Sequence, residues 1–167
     1  MMFRVTAFIK GLLRCGLFFF IFASVFLIPS CGSQADPYAS DITPKEYFQR
    51  GIEASDKNNY KLALQYYDAY LKKYPWQPED TENIELLSGN LWASYEIAFA
   101  YYKMKKDRTA VELLEELLDR YDAFQQREDI DPNTIPQGPL ILSELVLEKI
   151  RNRNPKAFKP QEEQTQP

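Results

Sequence analysis

The side chains that most often perform catalysis or bind metal ions are scarce in this sequence of 167 residues. Histidine is absent, which removes the commonest general base and the commonest transition-metal ligand. Asp129, Asp131 and Asn133 are spaced like the first ligands of a calcium loop. That loop needs glycine where Thr134 stands and glutamate where Leu140 stands. The remaining nucleophile candidates are serines with no neighbouring base: Ser55, Ser88, Ser94 and Ser143. We therefore predict no enzymatic activity, no metal site and no cofactor.

Cys31 is the residue whose surroundings do suggest chemistry. Residues 1–30 contain three cations and no acid, and an apolar run of 13 residues extends from Gly16 to Ile28. This is the layout of a secretory signal peptide, and the run is too short to span a bilayer. The motif Ile28-Pro29-Ser30-Cys31 resembles a bacterial lipobox, which implies cleavage before Cys31 and attachment of fatty acids such as palmitate to it. An uncleaved anchor, or an ordinary signal peptide with a chance cysteine, is the alternative.

Several fatty chains would hold the mature protein on a membrane. By the sorting habit of such lipoproteins, Gly32 implies the outer membrane, with the domain facing the periplasm; the inner membrane is the alternative. Residues 31–43 are small and polar after the cysteine, and we predict a flexible tether. The formal net charge is −4, and −7 without the cations of residues 1–30. Because nucleic acids bind basic surfaces, we predict no nucleic-acid partner.

The rest of the chain contains an internal repeat with an offset of 47 residues. Gly51, Ala63, Leu64, Tyr67, Leu71 and Tyr74 correspond to Ala98, Ala110, Val111, Leu114, Leu118 and Tyr121. Apolar residues recur at steps of three and four within each copy, which indicates amphipathic helices. Asn58-Asn59 in the first copy, and residues 105–107 in the second, interrupt the pattern as turns do. Each copy therefore predicts a helical hairpin, closely packed at its glycine and alanine positions.

The spacing of these residues resembles the tetratricopeptide repeat (TPR). The first copy spans Pro44 to Gln77 and the second Leu91 to Tyr121, with an insertion within Trp76 to Asn90 because a TPR unit has about 34 residues. Tyr70 and Leu117 stand where alanine is usual in the family. The resemblance implies that one set of residues packs the helices together: Gly51, Ala63, Tyr67, Pro75, Ala98, Ala110 and Leu114.

A final helix is predicted to open at Gly138-Pro139 and to end at about Arg153, with a wide apolar sector. We expect it to cap the second hairpin. The predicted organisation is a signal peptide over residues 1–30, the lipidated tether over 31–43, a TPR-like helical domain over 44–153 and a disordered tail over 154–167. The fold class is all-α, a short array of two hairpins plus a C-terminal capping helix.

A TPR-like array implies a concave face that binds protein segments, lined by one stripe of the first helix in each hairpin. Its members are Phe48, Ile52 and Ser55 in the first hairpin, and Trp92, Tyr95, Phe99 and Tyr102, with Lys103 beside them, in the second. Aromatic side chains at this spacing have the composition of interface hot spots. The alternative is that the insertion or the C-terminal helix covers this stripe, so that its aromatic rings belong to the core.

We therefore predict a membrane-tethered scaffold or adaptor that binds proteins of the bacterial cell envelope. A narrower resemblance involves residues 47–75 and 98–102 behind the lipidated cysteine, which are similar to the BamD-like lipoproteins of the outer-membrane β-barrel assembly machinery. A truncated assembly factor of that kind, with that machinery as partner, is the first alternative. An accessory cell-wall or lipid enzyme is the less favoured second. The oligomeric state stays open, since the end faces of so short an array are poorly covered.

Overall fold

The computed structural model describes residues 36–77 and 83–158, which contain five α-helices and no strand. The α-helices are α1 (Pro44–Asp56), α2 (Tyr60–Lys73), α3 (Ile84–Lys103), α4 (Asp107–Gln125) and α5 (Gly138–Arg153), and Pro132–Thr134 and Pro155–Phe158 are short 3-10 helices. This confirms the all-α class, with hairpins α1–α2 and α3–α4 followed by α5. The predicted signal peptide and Cys31 lie outside the described residues. Within the described part, no helix is long and apolar enough to cross a bilayer.

The two hairpin turns are built in the same way. Asn58 and Lys105, which are 47 positions apart, both adopt the left-handed conformation, with φ of 57° and 63°. The backbone hydrogen bonds also recur at that offset: Asn58 N to Ser55 O (2.8 Å) and Asn59 N to Ala54 O (2.8 Å), then Lys105 N to Tyr102 O (3.1 Å) and Lys106 N to Tyr101 O (3.0 Å). A left-handed residue just past the last helical turn satisfies helix carbonyls that would otherwise lack a donor. The repeat seen in the sequence is therefore a repeat of backbone geometry.

Lys105 is a poor residue for the left-handed turn, because a Cβ at positive φ costs about 1 kcal/mol. We expect Lys105→Gly to raise the free energy of unfolding by about 0.5 kcal/mol, the relief of that cost minus the extra freedom of glycine in the unfolded chain. Urea denaturation measures the change. Lys106→Gly is the matched control, since Lys106 has φ of −90° and loses the same charge. Equal stabilisation by both variants would trace the gain to charge rather than to backbone geometry.

The residues before α1 pack on the first hairpin, contrary to the flexible tether that we predicted for them. Ile42 is only 2% exposed, and the Lys73 ammonium donates to the carbonyl oxygens of Ser40 (2.9 Å) and Ile42 (2.8 Å). Thr43 then forms a capping box, because its hydroxyl accepts from the Glu46 N–H and its own N–H donates to the Glu46 carboxylate. The buried isoleucine and these partners fix residues 40–43 against α1 and α2. Composition alone could not show this, because it does not reveal tertiary partners.

Glycines on α1 and α3 provide the space for two large tyrosines of α2. A Cβ on Gly51 would lie 2.6 Å from Cζ of Tyr67, and a Cβ on Gly89 would overlap the hydroxyl of Tyr70. Tyr70 stands at a position where TPR units usually have alanine, and Gly89 of the following helix makes room for it. Close helix packing through glycine is thus used twice in the first hairpin and its neighbour.

The second hairpin differs from the predicted bounds at both ends. Helix α3 begins at Ile84, inside the insertion, where the Asn83 side chain caps it by accepting from Leu86 N (3.0 Å). Helix α4 continues to Gln125, past Tyr121, the predicted end of the second copy. The reason is that Phe124, one turn further on, is buried in the core beside Trp76 of the insertion. Burial of an additional aromatic ring favours another helical turn there.

Helix α5 packs against both α3 and α4 and has the bounds that the sequence predicts. The predicted disordered tail is wrong for its first residues, since Pro155–Phe158 forms a 3-10 helix that packs on α5 and α4. Ala157 is buried there, and Phe158 lies against the Arg151 guanidinium at 4.8 Å. The apolar side chains at 157 and 158 supply the burial that the polar composition of the whole tail obscured.

Candidate functional site

The predicted aromatic stripe on α3 lies along α5. Successive rings are in contact, with centroid distances of 6.1 Å for Trp92–Tyr95, 5.7 Å for Tyr95–Phe99 and 5.8 Å for Phe99–Tyr102. Tyr95 is only 5% exposed, and the other three side chains are partly buried. This packing favours the alternative in which the C-terminal helix covers the stripe. Partner binding by these residues stays a prediction.

Both ends of the stripe are covered by residues of α5. The Trp92 ring lies against Gly138, where a Cβ would come 2.6 Å from the ring. The Arg153 guanidinium stacks 4.2 Å from the centre of the Tyr102 ring. Lys103, beside the stripe, is exposed and lies 5.7 Å from the Phe99 ring. Helices α3 and α5 therefore run in the same direction along the aromatic row.

The stripe members on α1 have different surroundings. Phe48 packs edge-on against Tyr67 and Tyr70, at centroid distances of 5.7 and 4.9 Å. Ser55 is partly buried, whereas Ile52 is 48% exposed. Ile52 is thus the most exposed apolar side chain of the predicted set, with about half of its surface open to solvent.

The residues predicted to pack the repeat lie mainly in the interior. Gly51, Ala63, Tyr67, Ala98, Ala110 and Leu114 are all buried, and Pro75 is exposed at the end of the first hairpin. Ala63 and Tyr67 belong to the cluster between α1 and α2, while Ala98, Ala110 and Leu114 belong to a larger cluster beneath α5.

An open groove lies between α2, α3 and α4. It has a volume of about 610 Å³ and is lined by Leu71, Trp76, Asn90, Ser94, Glu116, Arg120, Ala123, Phe124 and Arg127. A smaller recess of about 220 Å³ shares part of this lining and extends past Ile97, Leu113 and Leu117. The size and mixed lining of the larger groove are those of a site that binds small molecules or peptide side chains. We call this concavity the α2–α4 groove.

The apolar end of the α2–α4 groove is held in place by Asn90. Its side chain accepts from the Trp76 N–H (3.1 Å) and donates to the carbonyl oxygens of Tyr74 (2.8 Å) and Leu86 (2.9 Å). These bonds join the chain after α2 to the side of α3, and the Trp76 ring meets the Phe124 ring edge-on at 5.2 Å. A fully hydrogen-bonded buried amide of this kind fixes the position of Trp76 relative to α3 on this side of the groove.

Arg120 supplies the charge of the groove. Its guanidinium donates to the Ser94 hydroxyl (3.1 Å), which in turn donates to the Asn90 carbonyl oxygen (2.8 Å). No ion pair joins Arg120 to a carboxylate of the described residues. Burial lowers the pKa of Arg120, while the negative charge of Glu116, one turn earlier, opposes that shift. Arg120 is therefore a partly desolvated cation with most of its five donors unused among the described residues.

Comparison with known proteins identifies one part of this architecture. Residues 92–123 match the tetratricopeptide repeat. The match runs from Trp92 on α3 to Ala123 on α4, and so covers the second hairpin. No curated protein and no solved structure matches the chain.

The match supports the interpretation of the chain as a TPR protein, and the fold is an all-α helical repeat. TPR units are typical of scaffolds for protein–protein interaction and typically lack catalytic activity. Within the TPR hairpin, Ser94, Glu116, Arg120 and Ala123 line the α2–α4 groove. The groove is thus built on the matched repeat and completed by α2 and by Trp76 of the insertion.

Arg120 is absent from the predicted site residues, although its position among apolar residues of α4 is a signal that the sequence contains. Leu113 and Leu117 line the smaller recess and Phe124 lines the groove, all from one side of α4, and Arg120 lies between Leu117 and Phe124 in this otherwise apolar row. A cation inside an apolar row is typical of a residue that needs a partner.

Ser143 and Asp131, two of the residues considered for chemistry, have structural partners. The Ser143 hydroxyl donates to the Pro139 carbonyl oxygen (2.6 Å), and Asp131 caps the first 3-10 helix by accepting from the Asn133 N–H (2.9 Å). Burial raises the pKa of Glu96 on α3. Among residues 36–77 and 83–158, no three potential metal ligands lie close enough together to hold an ion.

Proposed function

We propose that this chain is a lipid-anchored scaffold of the bacterial cell envelope, and that it docks partner proteins in the α2–α4 groove. The observation that carries the docking proposal is the open groove itself, with tryptophan, phenylalanine and arginine in its lining. These are the residue types that dominate interface hot spots, together with tyrosine. The TPR match supports a scaffold role, and the cover of α5 over the aromatic stripe favours the groove over that stripe as the docking surface.

Site-specific photo-crosslinking in the native envelope tests the docking surface. A photoreactive phenylalanine analogue replaces Ala123, an exposed residue in the lining of the groove. A second variant carries it at Ile52, on the predicted stripe, and a third carries it at Glu148, an exposed position on α5. We expect a discrete protein adduct from the Ala123 position alone. An adduct from Ile52 without one from Ala123 would move the docking surface to the stripe.

The lipid anchor is supported by the motif Ile28-Pro29-Ser30-Cys31 and by the apolar run before it. We expect metabolic labelling with a palmitate analogue to mark the wild-type chain in the outer-membrane fraction, facing the periplasm. Cys31→Ala should abolish the label and release the chain from that fraction, because the acylated sulfur is then missing. Full membrane retention of Cys31→Ala would contradict the anchor while leaving the scaffold role intact.

The alternative of a BamD-like assembly factor rests on the resemblance of residues 47–75 and 98–102. It makes a specific statement about the adduct from Ala123. The crosslinked protein would be the β-barrel assembly protein, and both would purify together from detergent extracts. An adduct with any other envelope protein removes this alternative and keeps the general scaffold.

A further inference from the structure

We propose that the α2–α4 groove recognises a segment of a partner protein in which a carboxylate side chain lies one helical turn from a large apolar side chain. The carboxylate would pair with Arg120, and the apolar side chain would enter beside Trp76 and Phe124. This inference rests on the proposed function, because it names the chemistry of the partner that the scaffold docks.

Arg120 carries the acidic half of the proposal. It lines the groove, it is partly desolvated, and its one protein hydrogen bond among the described residues goes to the Ser94 hydroxyl. A partly desolvated guanidinium that no carboxylate of the described residues contacts is destabilising, and a bound carboxylate would reduce that cost. The planar fork of arginine suits a carboxylate better than a neutral acceptor, since two parallel hydrogen bonds form at once.

The fold fixes the geometry of that pairing. The Ser94 hydroxyl donates to the Asn90 carbonyl oxygen and accepts from Arg120, so its position is set by α3 before any ligand arrives. Asn90 is in turn locked by its bonds to Tyr74, Trp76 and Leu86. The guanidinium is therefore held in place by a chain of hydrogen-bonded groups. Ligand binding would cost the protein little conformational entropy, because this side chain is already positioned.

The apolar half of the proposal is carried by the other end of the groove. Trp76, Phe124 and Leu71 line it, and the two aromatic rings meet at 5.2 Å. Because Phe124 lies four positions after Arg120 on α4, the cationic and apolar subsites are separated by about one helical turn, near 6 Å. That separation sets the spacing of the two side chains that we expect in the partner.

The overall negative charge of the chain does not exclude an acidic partner. Charges more than about 8–10 Å away are largely screened at physiological ionic strength. The ionisable residues in the lining are Arg120, Arg127 and Glu116, with Arg127 paired to Asp129 outside the lining. Glu116 is exposed, so water screens its charge, whereas Arg120 is partly desolvated and has the stronger effect on a bound carboxylate.

Selection from a displayed library of random 12-residue peptides tests this proposal, with the full chain in detergent micelles as bait. We expect the wild type to enrich peptides that carry Asp or Glu three or four positions from Leu, Phe or Trp. Arg120→Gln should bind the best peptide at least tenfold more weakly. Arg108→Gln, which makes the same charge change on α4 outside the groove, should bind it as the wild type does.

Two further measurements distinguish loss of the contact with Arg120 from loss of the folded structure. Ala123→Glu places a carboxylate beside Arg120 from an exposed position, and we expect the same tenfold loss with an unchanged melting temperature. Replacing the acid of the best peptide by its amide should weaken binding to the wild type tenfold and should not weaken binding to Arg120→Gln further, because the two changes remove one interaction.

The possible failures separate this inference from the proposed function. Peptides with a neutral or basic consensus, or peptides that bind Arg120→Gln as tightly as the wild type, would overturn the acidic partner. The scaffold role would still stand if the Ala123 position crosslinks to a protein in the envelope. Absence of both enriched peptides and adducts would overturn the two together.

Discussion

Tyr67→Ala is expected to lower the free energy of unfolding by about 3–5 kcal/mol, the usual cost of removing a buried aromatic ring. The Tyr67 ring is fully buried and lies directly on Gly51, which has no side chain that could fill the space the ring leaves. The hydroxyl makes a different contribution. It is buried and has no hydrogen-bond partner in the described part of the chain. Burial, with the charges of Glu96 and Asp56, raises the pKa of this phenol well above its usual value.

Tyr67→Phe is the matched control for that experiment. It keeps the ring and removes the unpaired hydroxyl, whose desolvation costs about 1 kcal/mol or more. We therefore expect Tyr67→Phe to be as stable as the wild type or about 1 kcal/mol more stable in urea denaturation. A loss of more than 1 kcal/mol in Tyr67→Phe would mean that the hydroxyl does have a partner, such as an ordered water molecule. A loss below 1 kcal/mol in Tyr67→Ala would contradict the packing of α1 on α2.

The parts of the fold that the sequence predicts are those set by local, repeated interactions. An offset of 47 residues predicted two hairpins, and Asn58 and Lys105 adopt the same left-handed turn at that offset. The C-terminal helix begins at Gly138 and ends at Arg153, as its proline and its apolar sector indicate. Helix periodicity and turn residues act within a few positions of the chain, so one sequence is enough to recognise them.

Features that depend on contacts between residues far apart in the chain could not be predicted from the sequence. The residues around Gly89 do not indicate that this glycine makes room for Tyr70. The residues around Ile42 do not indicate that the Lys73 ammonium donates to the Ile42 carbonyl oxygen. The α2–α4 groove is of the same kind, since its lining comes from three helices and the insertion. An aromatic row such as Trp92 to Tyr102 is equally ambiguous, because its rings suit an interface and a core alike. Only the position of α5 distinguishes a binding face from a buried core.

The ion pair between Asp107 and Arg153 is expected to provide the second large effect. Asp107, the first residue of α4, is 8% exposed, and its carboxylate accepts from the Arg153 guanidinium and from the Asn154 amide (3.1 Å). Arg153 also donates to the Tyr102 carbonyl oxygen (3.3 Å). The pair thereby joins the end of α5 to the turn between α3 and α4. We expect Asp107→Ala to lower the free energy of unfolding by about 1.5–3 kcal/mol at pH 7, the range for hydrogen bonds to charged groups.

The pH dependence of that loss identifies its origin. Burial raises the pKa of Asp107, but the hydrogen bonds from Arg153 and Asn154 and the charges of Arg153 and Lys105 outweigh it, so the pKa lies below its usual value. The unfolded chain then binds the proton more readily, and the stabilisation is complete above the unfolded pKa of about 3.9. It is lost as the pH falls through the lower pKa of the folded state. We expect the stability difference between wild type and Asp107→Ala to be constant from pH 7 to 5 and to shrink below pH 4.

Two comparisons distinguish an ion pair from a general packing defect. Arg153→Met should destabilise as well, and the double variant should lose less than the sum of the single losses, because each change removes the same interaction. Amide hydrogen exchange should accelerate in α5 of Asp107→Ala more than in α1 and α2, since α5 loses its attachment to the α3–α4 turn. Equal acceleration in all helices, with additive losses, would mean that the pair does not hold α5 in place. Selective release of α5 would instead mean that the pair holds the end of α5 beside Tyr102.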